Sequence, residues 1–503
     1  MNVLRANRHV LAAVALLALA SWGACQSGPT PVAENEPPRE EALGPALQTE
    51  TAPPPAPAAG LPPAPPQCAF DPRWLQATAL PTEVGDSDCS FHQFMWQSFT
   101  FLAQRLDAGT RFESWMPTYG LFVKSATAKP TPWGTAPPIP CKPDKAATAA
   151  DKPLPVYSSI TKQAGVDQPL IDRTSNEVYY GIALNQIAYD WVTSCELYRY
   201  GCAAQLADKK AGVDLIKNYA QLAFPNGSVE LKTAWKVLTD AEKQLGTFYT
   251  VTGQIQPDAN PKSCKTVTLG LVGMHIVSKT AKHPEFIWAT FEHKNNAPDC
   301  TALTAGSPLP GGWTFFDKAQ YDQCKQPQCT NVFAPKRAAM VCREHPWGDS
   351  NLGNYPNGND CSTDPNQRIC QPAVKTAMTA NTQAMQAINA GANAAISQSP
   401  TYDKVWANYQ LVGNLWTRGG AIPPITQAQA GSLSAANSTM ETFVQNGQAG
   451  ITNPANCFTC HDMVSSEGVS NLPPVGLSHI FGDLVPTSGG CTTGQLPQTC
   501  VAN

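Results

Sequence analysis

The chain has 503 residues, 42% hydrophobic and only 14% charged, with 34 Lys plus Arg against 38 Asp plus Glu and a net charge of -4. That length can bury a large core, and the charge pattern excludes a coiled coil, a charged tail and a nucleic-acid binder with a basic footprint. The abnormal counts are 46 Pro and 17 Cys, and so many cysteines point to an oxidising compartment.

The N-terminus reads as an address. Arg5 and Arg8 precede the apolar run Val10 to Ala20, the charged start and short apolar core of a secretory signal peptide. The run is too short to cross a bilayer as a helix. It leads into Trp22-Gly23-Ala24-Cys25, which resembles the lipobox of bacterial lipoproteins, with Trp22 where Leu is usual. The resemblance implies a lipoprotein-type signal peptide over 1–24, lipid on Cys25 and a membrane attachment through that anchor. Gln26 after it points, by the same resemblance, to the outer membrane. The alternative is cleavage after Ala20, leaving Cys25 a free thiol. Residues 26–66 hold 13 Pro and no aromatic residue or Cys, so 25–66 is expected to be a Pro-rich disordered tether. In a polyproline II conformation throughout it would reach roughly 120 Å. No later apolar stretch reaches spanning length, so the rest is expected to be soluble.

Residues 67–370 read as a disulfide-rich α+β domain. Ser90 with Gln93 predicts a capped helix with Phe91, Phe94, Met95 and Leu102 on one face. Thr174 with Glu177 predicts a second, carrying Val178, Ile182, Tyr189 and Val192. Alternation at Val229, Leu231, Thr233, Trp235 and Val237 predicts a strand with Glu230, Lys232 and Lys236 facing out. Lys265 to Lys279 is apolar on both faces, a central strand, and Phe286 to His293 reads as its neighbour. Helices and strands do not alternate strictly, so the fold class is α+β and not doubly wound. Neither a phosphate-binding nor a nucleophile-elbow motif occurs. His275, His283, Glu292 and His293 offer a general base or a second metal site; the plainer reading makes His275 a hydrogen-bonded core residue. Asp349 to Asp364 is read as a disulfide-braced loop, since it lacks the Glu that closes a calcium loop.

Residues 371–431 are expected as a helical connection: Val374, Met378, Met385, Ile388, Ala392 and Ile396 mark a long packed helix. For 402–416 helix and strand periods both fit. Residues 432–503 hold the chemistry. Leu433, Ala436, Met440, Phe443 and Val444 predict a helix over 432–448, ahead of Asn456-Cys457-Phe458-Thr459-Cys460-His461. Cys-x-x-Cys-His is the attachment pattern of c-type haem. Two thiols at that spacing reach both vinyl groups of one porphyrin edge, and the adjacent imidazole becomes the proximal iron ligand. A thioredoxin-like site would need a βαβ setting, and a zinc site two more ligands at matching spacing.

This C-terminal region resembles the c-type cytochrome family, over about the last 70 residues and in a mainly helical setting, with fewer residues after the motif than the family uses. The whole chain also resembles large bacterial monohaem proteins with a C-terminal haem site, on the stretches Asn437 to Phe443 and Trp288 to His293. The resemblance implies one covalent haem c held by Cys457, Cys460 and His461. For the distal iron ligand, His479 is expected, with Met440 the alternative and Met463 or His275 more remote; His479 also reads as an ordinary structural histidine.

Removing Cys25, Cys457 and Cys460 from the count leaves fourteen cysteines, an even number that permits seven disulfides; Cys195 with Cys202 and Cys324 with Cys329 are short-range guesses. The functional expectation is an envelope-tethered cytochrome exchanging electrons, as iron cycles between ferric and ferrous, with a redox partner protein or small electron carrier. The alternative is a haem-dependent oxidoreductase or peroxidase whose large domain binds the substrate.

Overall fold

Helix α1 (Asp88–Leu102) starts a turn earlier than the sequence predicts, because Ser87 and not Ser90 is its cap. Ser90 N donates to Ser87 Oγ at 3.2 Å and Ser87 N to Ser90 Oγ at 3.1 Å, so a second serine fills the role expected of Gln93. Gln93 instead donates to Ala69 O at 2.9 Å, beside the Cys68–Cys89 disulfide. The computed structural model describes residues 68–107, 109–144, 156–158, 169–210, 224–256, 263–304, 312–323, 340–343, 372–420, 429–431, 436–442, 480–484, 486–495, 497 and 500.

The strands in chain order are β1 (Arg105–Leu106), β2 (Gly109–Thr110), β3 (Met116–Pro117), β4 (Lys142–Pro143), β5 (Val156–Ser158), β6 (Val178–Leu184), β7 (Val229–Val237), β8 (Thr250–Gln256), β9 (Ser263–Ser278), β10 (Ile287–His293), β11 (Tyr409–Thr417) and β12 (Gln429–Gly431). With helices beside a largely antiparallel sheet, the fold is α+β, as the sequence predicts. Strand β9, 16 residues long, organises it. One edge of β9 takes β7; the other takes β10 along Gly273–Ser278 and β8 along Lys265–Gly270. Strand β5 pairs with both β8 and β6. The path β9–β7–β6–β5–β8 therefore returns to β9 and closes a ring, from which β10, β11 and β12 extend. From Leu269 onward β9 is buried on both faces, which is why that part of its sequence shows no alternation.

One face of the sheet packs on α1 and on a long helix, α5 (Pro372–Gln398), through Phe91, Phe99, Met385, Ile388, Trp406 and Leu411. Each such side chain removed from water contributes about 1.5–3 kcal/mol. Asn389 pins this layer: its Oδ1 accepts from Trp96 Nε1 at 2.9 Å and Leu411 N at 3.0 Å, and its Nδ2 donates to Leu411 O at 2.8 Å.

Several expectations are corrected. Thr174 and Glu177 cap no helix; Val178 and Ile182 lie on β6, and Asn185 caps a separate helix, α2 (Gln186–Ser194), which carries Tyr189 and Val192. Strand β7 exists as expected, but Glu230 and Lys236 do not face solvent: they are 7% and 1% exposed. Their face of β7 is covered as well, with Asp172 and Glu242 closing over Lys236. The register shift opposite Ala234 and Trp235 puts its extra residue, Val272, in β9 and leaves β7 regular. The stretch 402–416 resolves into a short 3-10 turn and then β11. Residues 371–431 accordingly give the long helix expected and then two strands of the same sheet. The helix expected over 432–448 is absent among the described residues: 436–442 form turns.

The described residues contain five disulfides, Cys68–Cys89, Cys141–Cys264, Cys195–Cys500, Cys202–Cys491 and Cys300–Cys342. The guess Cys195–Cys202 is replaced by two long-range bonds. They tie helix α3 (Tyr200–Lys210) and the turn before it to the C-terminus. Cys324, Cys329, Cys361 and Cys370, and the Asn- and Asp-rich stretch 349–364, lie outside the described residues.

Candidate functional site

Two stretches singled out in the sequence, Trp288 to His293 and Asn437 to Phe443, meet in space over their described residues. Strand β10 presents Glu292, whose carboxylate is fully buried. Glu292 Oε1 accepts from Ser438 N and Oε2 from Ser438 Oγ, both at 2.6 Å. Arg343 closes the other side, donating from Nε at 3.1 Å and Nη2 at 3.0 Å to Oε2, and from Nη1 to Ala297 O. A buried carboxylate held by a guanidinium and two further donors has its lone pairs satisfied, the condition under which burial is tolerated.

The turn that docks there is built by Asn437. Its Oδ1 accepts from Thr439 N at 2.9 Å and Thr439 Oγ1 at 2.7 Å, and its Nδ2 donates to Phe291 O at 3.1 Å. Tyr180 Oη donates to Thr439 O at 2.7 Å. Under the turn lies Gly273 of β9, where a Cβ would collide with Thr439 Oγ1 and Asn437 Oδ1. The glycine is thus required by close approach of the docked turn.

Glu441, the next acidic residue, reaches His275. Register places Lys232, His275 and Thr290 side by side on β7, β9 and β10. His275 Nε2 lies 2.9 Å from Glu441 Oε2, Nδ1 lies 2.9 Å from Thr290 Oγ1, and Lys232 Nζ stands 4.0 Å from Glu441 Oε1. Burial raises the Glu441 carboxyl, but His275, Lys232 and the Asn437 N–H outweigh it and hold it below the usual carboxylate range. An imidazole–carboxylate pair with a partly exposed carboxylate can hold or relay a proton.

The other candidates take separate partners. His283 Nδ1 lies 2.8 Å from Glu285 Oε1, which also accepts from Thr417 N at 2.9 Å. Burial lowers the nearby Lys279 amine to about 7, against the opposing pull of Glu285. His293 Nε2 lies 3.0 Å from Thr247 O, and Asn295 N donates to Nδ1 at 3.2 Å; burial drives its pKa down to about 3. The four residues His275, His283, Glu292 and His293 therefore do not converge on one centre. No group of three metal-ligating side chains occurs among the described residues. His275 is the hydrogen-bonded core residue of the plainer reading, with the unexpected addition of Glu441.

Of the haem-site expectations, Cys457, Cys460, His461 and His479 lie outside the described residues, as do Met463 and the lipid-anchor Cys25. Met440 is described: it is fully buried with Leu170, Val178, Tyr180 and Val272. On the C-terminal side, Ile480, Phe481 and Leu484 pack with Phe122 and Phe224, just before the two disulfides to Cys491 and Cys500. The chain on either side of the Cys-x-x-Cys-His motif is therefore fastened to the same sheet-based body. Sequence reasoning missed Glu441, Lys232, Ser438 and Arg343; the only local signal was the polar run Asn437-Ser438-Thr439, typical of side chains that bond nearby backbone.

No family model matches the chain, and neither a curated protein nor a solved structure matches it.

Proposed function

We propose that the chain is an envelope-tethered c-type haem protein that carries electrons. The observation that carries this reading is the pentad Cys457-Phe458-Thr459-Cys460-His461 in a chain with ten further cysteines paired in disulfides among the described residues. Covalent haem attachment and disulfide formation both belong outside the reducing cytosol, so the two features support each other. The donor set fits the group: two thiols for the vinyl positions and one imidazole for the iron. When bound, the haem supplies a one-electron ferric–ferrous couple. Met440 is committed to the core, which favours His479 as the distal ligand. Cys25 would carry the lipid, 26–66 would be the tether, and the partner would be a redox protein or small electron carrier.

The test is a haem stain and alkaline pyridine spectrum of the purified chain, which should report one covalent haem. Cys457→Ala with Cys460→Ala should lose it; a double variant still stained would overturn the assignment. The second reading, a haem-dependent oxidoreductase, draws on the His275–Glu441 pair on the body, a proton-relaying arrangement that a simple carrier does not require. Rapid carbon monoxide binding by the reduced protein supports that reading, and no binding supports the carrier.

A further inference from the structure

Near the start of β6 and the end of β7 the structure brings together a buried lysine, a buried aspartate and a partly exposed glutamate. Lys236 and Asp172 have side chains 1% and 0% exposed, and Lys236 Nζ lies 3.1 Å from Asp172 Oδ2. The same Nζ donates to Glu242 Oε1. Leu170, Val178, Leu238 and Phe248 form the surrounding core, with the Phe248 ring centre 5.9 Å from Nζ.

The two oxygens of Asp172 are treated differently. Oδ1 accepts three hydrogen bonds, from Thr174 N and Thr174 Oγ1 at 2.8 Å and from Asn176 N at 2.9 Å. Oδ2 takes no hydrogen bond and faces the amine. Glu242 is fixed at the start of a short helix, α4 (Asp240–Leu245), its Oε2 accepting from Thr239 N at 2.9 Å and Thr239 Oγ1 at 3.0 Å. Here a fully buried ammonium faces a fully buried carboxylate beside the partly exposed Glu242, and even a matched buried pair repays its desolvation poorly. Condensation would remove both partner charges at once.

We propose that Lys236 Nζ and the Asp172 γ-carboxyl form an intramolecular isopeptide bond, with Glu242 as its catalytic base. The amine nitrogen attacks Asp172 Cγ, and charge develops on Oδ1, where the three donors already point, the arrangement of an oxyanion hole. The C–Oδ2 bond breaks. Glu242 relays two protons in turn from Nζ to Oδ2, the first freeing the amine to attack and the second from the tetrahedral adduct. Oδ2 thus leaves as water and Glu242 ends as it began. Overall one ammonium and one carboxylate give one amide and one water, with no oxidant or second substrate. Burial raises the Glu242 carboxyl, but hydrogen bonds from Lys236 and Thr239 outweigh this and keep it ionised, as a base must be. Fixed proximity of amine, carbonyl and base supplies the rate.

Peptide mapping of the full-length protein, denatured, reduced and alkylated, tests this. The expected result is one branched tryptic product joining the Asp172 and Lys236 segments, lighter than the two by one water, with no cleavage after Lys236. Recovery of the two segments unlinked, with trypsin cutting after Lys236, would overturn the proposal on the natural chain alone. Glu242→Gln should leave most of the chain unlinked; full linkage in that variant would overturn the role given to Glu242.

Discussion

At the scale of single residues, the strongest local constraints are buried charges with prescribed partners. Glu292 satisfies Arg343 and the Ser438 backbone and hydroxyl together. Replacing it by Gln takes from the buried Arg343 guanidinium its hydrogen-bonded counter-charge, which costs about 3–5 kcal/mol; denaturant unfolding should show the lower midpoint. His92 makes a second residue-scale prediction. It is fully buried, faces Asn381 and Asn414, and burial lowers its pKa to about 4. The unfolded chain, with an ordinary histidine near 6.5, therefore binds a proton between pH 6.5 and 4 that the folded chain refuses. Stability must fall as pH drops through that window, by on the order of 3 kcal/mol from this group, and stay flat above it. His92→Gln should flatten the decline, measured as the difference in unfolding midpoint between the two pH values.

At the scale of elements, the docking of 436–442 on β9 and β10 makes the sharpest prediction. Gly273→Ala would push a methyl into Thr439 and Asn437, overpacking that costs about 1–3 kcal/mol. The turn should lift before the sheet does, so hydrogen exchange should rise at 437–442 while β7 and β9 remain protected; unchanged exchange at the turn would refute the close-packing argument. The same turn shows why parts of the fold were illegible. Leu433, Ala436 and Met440 have helical spacing, yet Asn437 spends its side chain on Thr439 and on a strand carbonyl. Those bonds offer the backbone an alternative to the helix. Strand β10 and the part of β9 from Leu269 onward were legible because burial on both faces leaves them mostly apolar with no polar alternation. Lys236 was misread because its face of β7 is covered too, by Asp172 and Glu242 from outside the strand. The site partners of His275 and Glu292 were illegible for a related reason, since both are supplied from distant parts of the chain.

At the scale of the whole molecule, the cysteines decide how the C-terminus is held. Cys195–Cys500 and Cys202–Cys491 span 305 and 289 residues, so either one alone closes most of the chain into a loop. Once one is present, the other closes only the short double segment between them. By loop entropy the second bond contributes about 3 kcal/mol, as for a loop of about 15 residues, whereas the first contributes about 5–6 kcal/mol. Removing either bond by a paired Cys→Ser change should therefore cost about 3 kcal/mol. Removing both should cost clearly more than the sum of the two single losses. The chain from Ile480 onward should stay protease-resistant in each single-bond variant, because Phe481 and Leu484 remain packed, and become cleavable only when both bonds are gone. If each removal cost the same regardless of the other, the two bonds would be constraining separate motions, and the C-terminus would not be the single strap that their nesting describes.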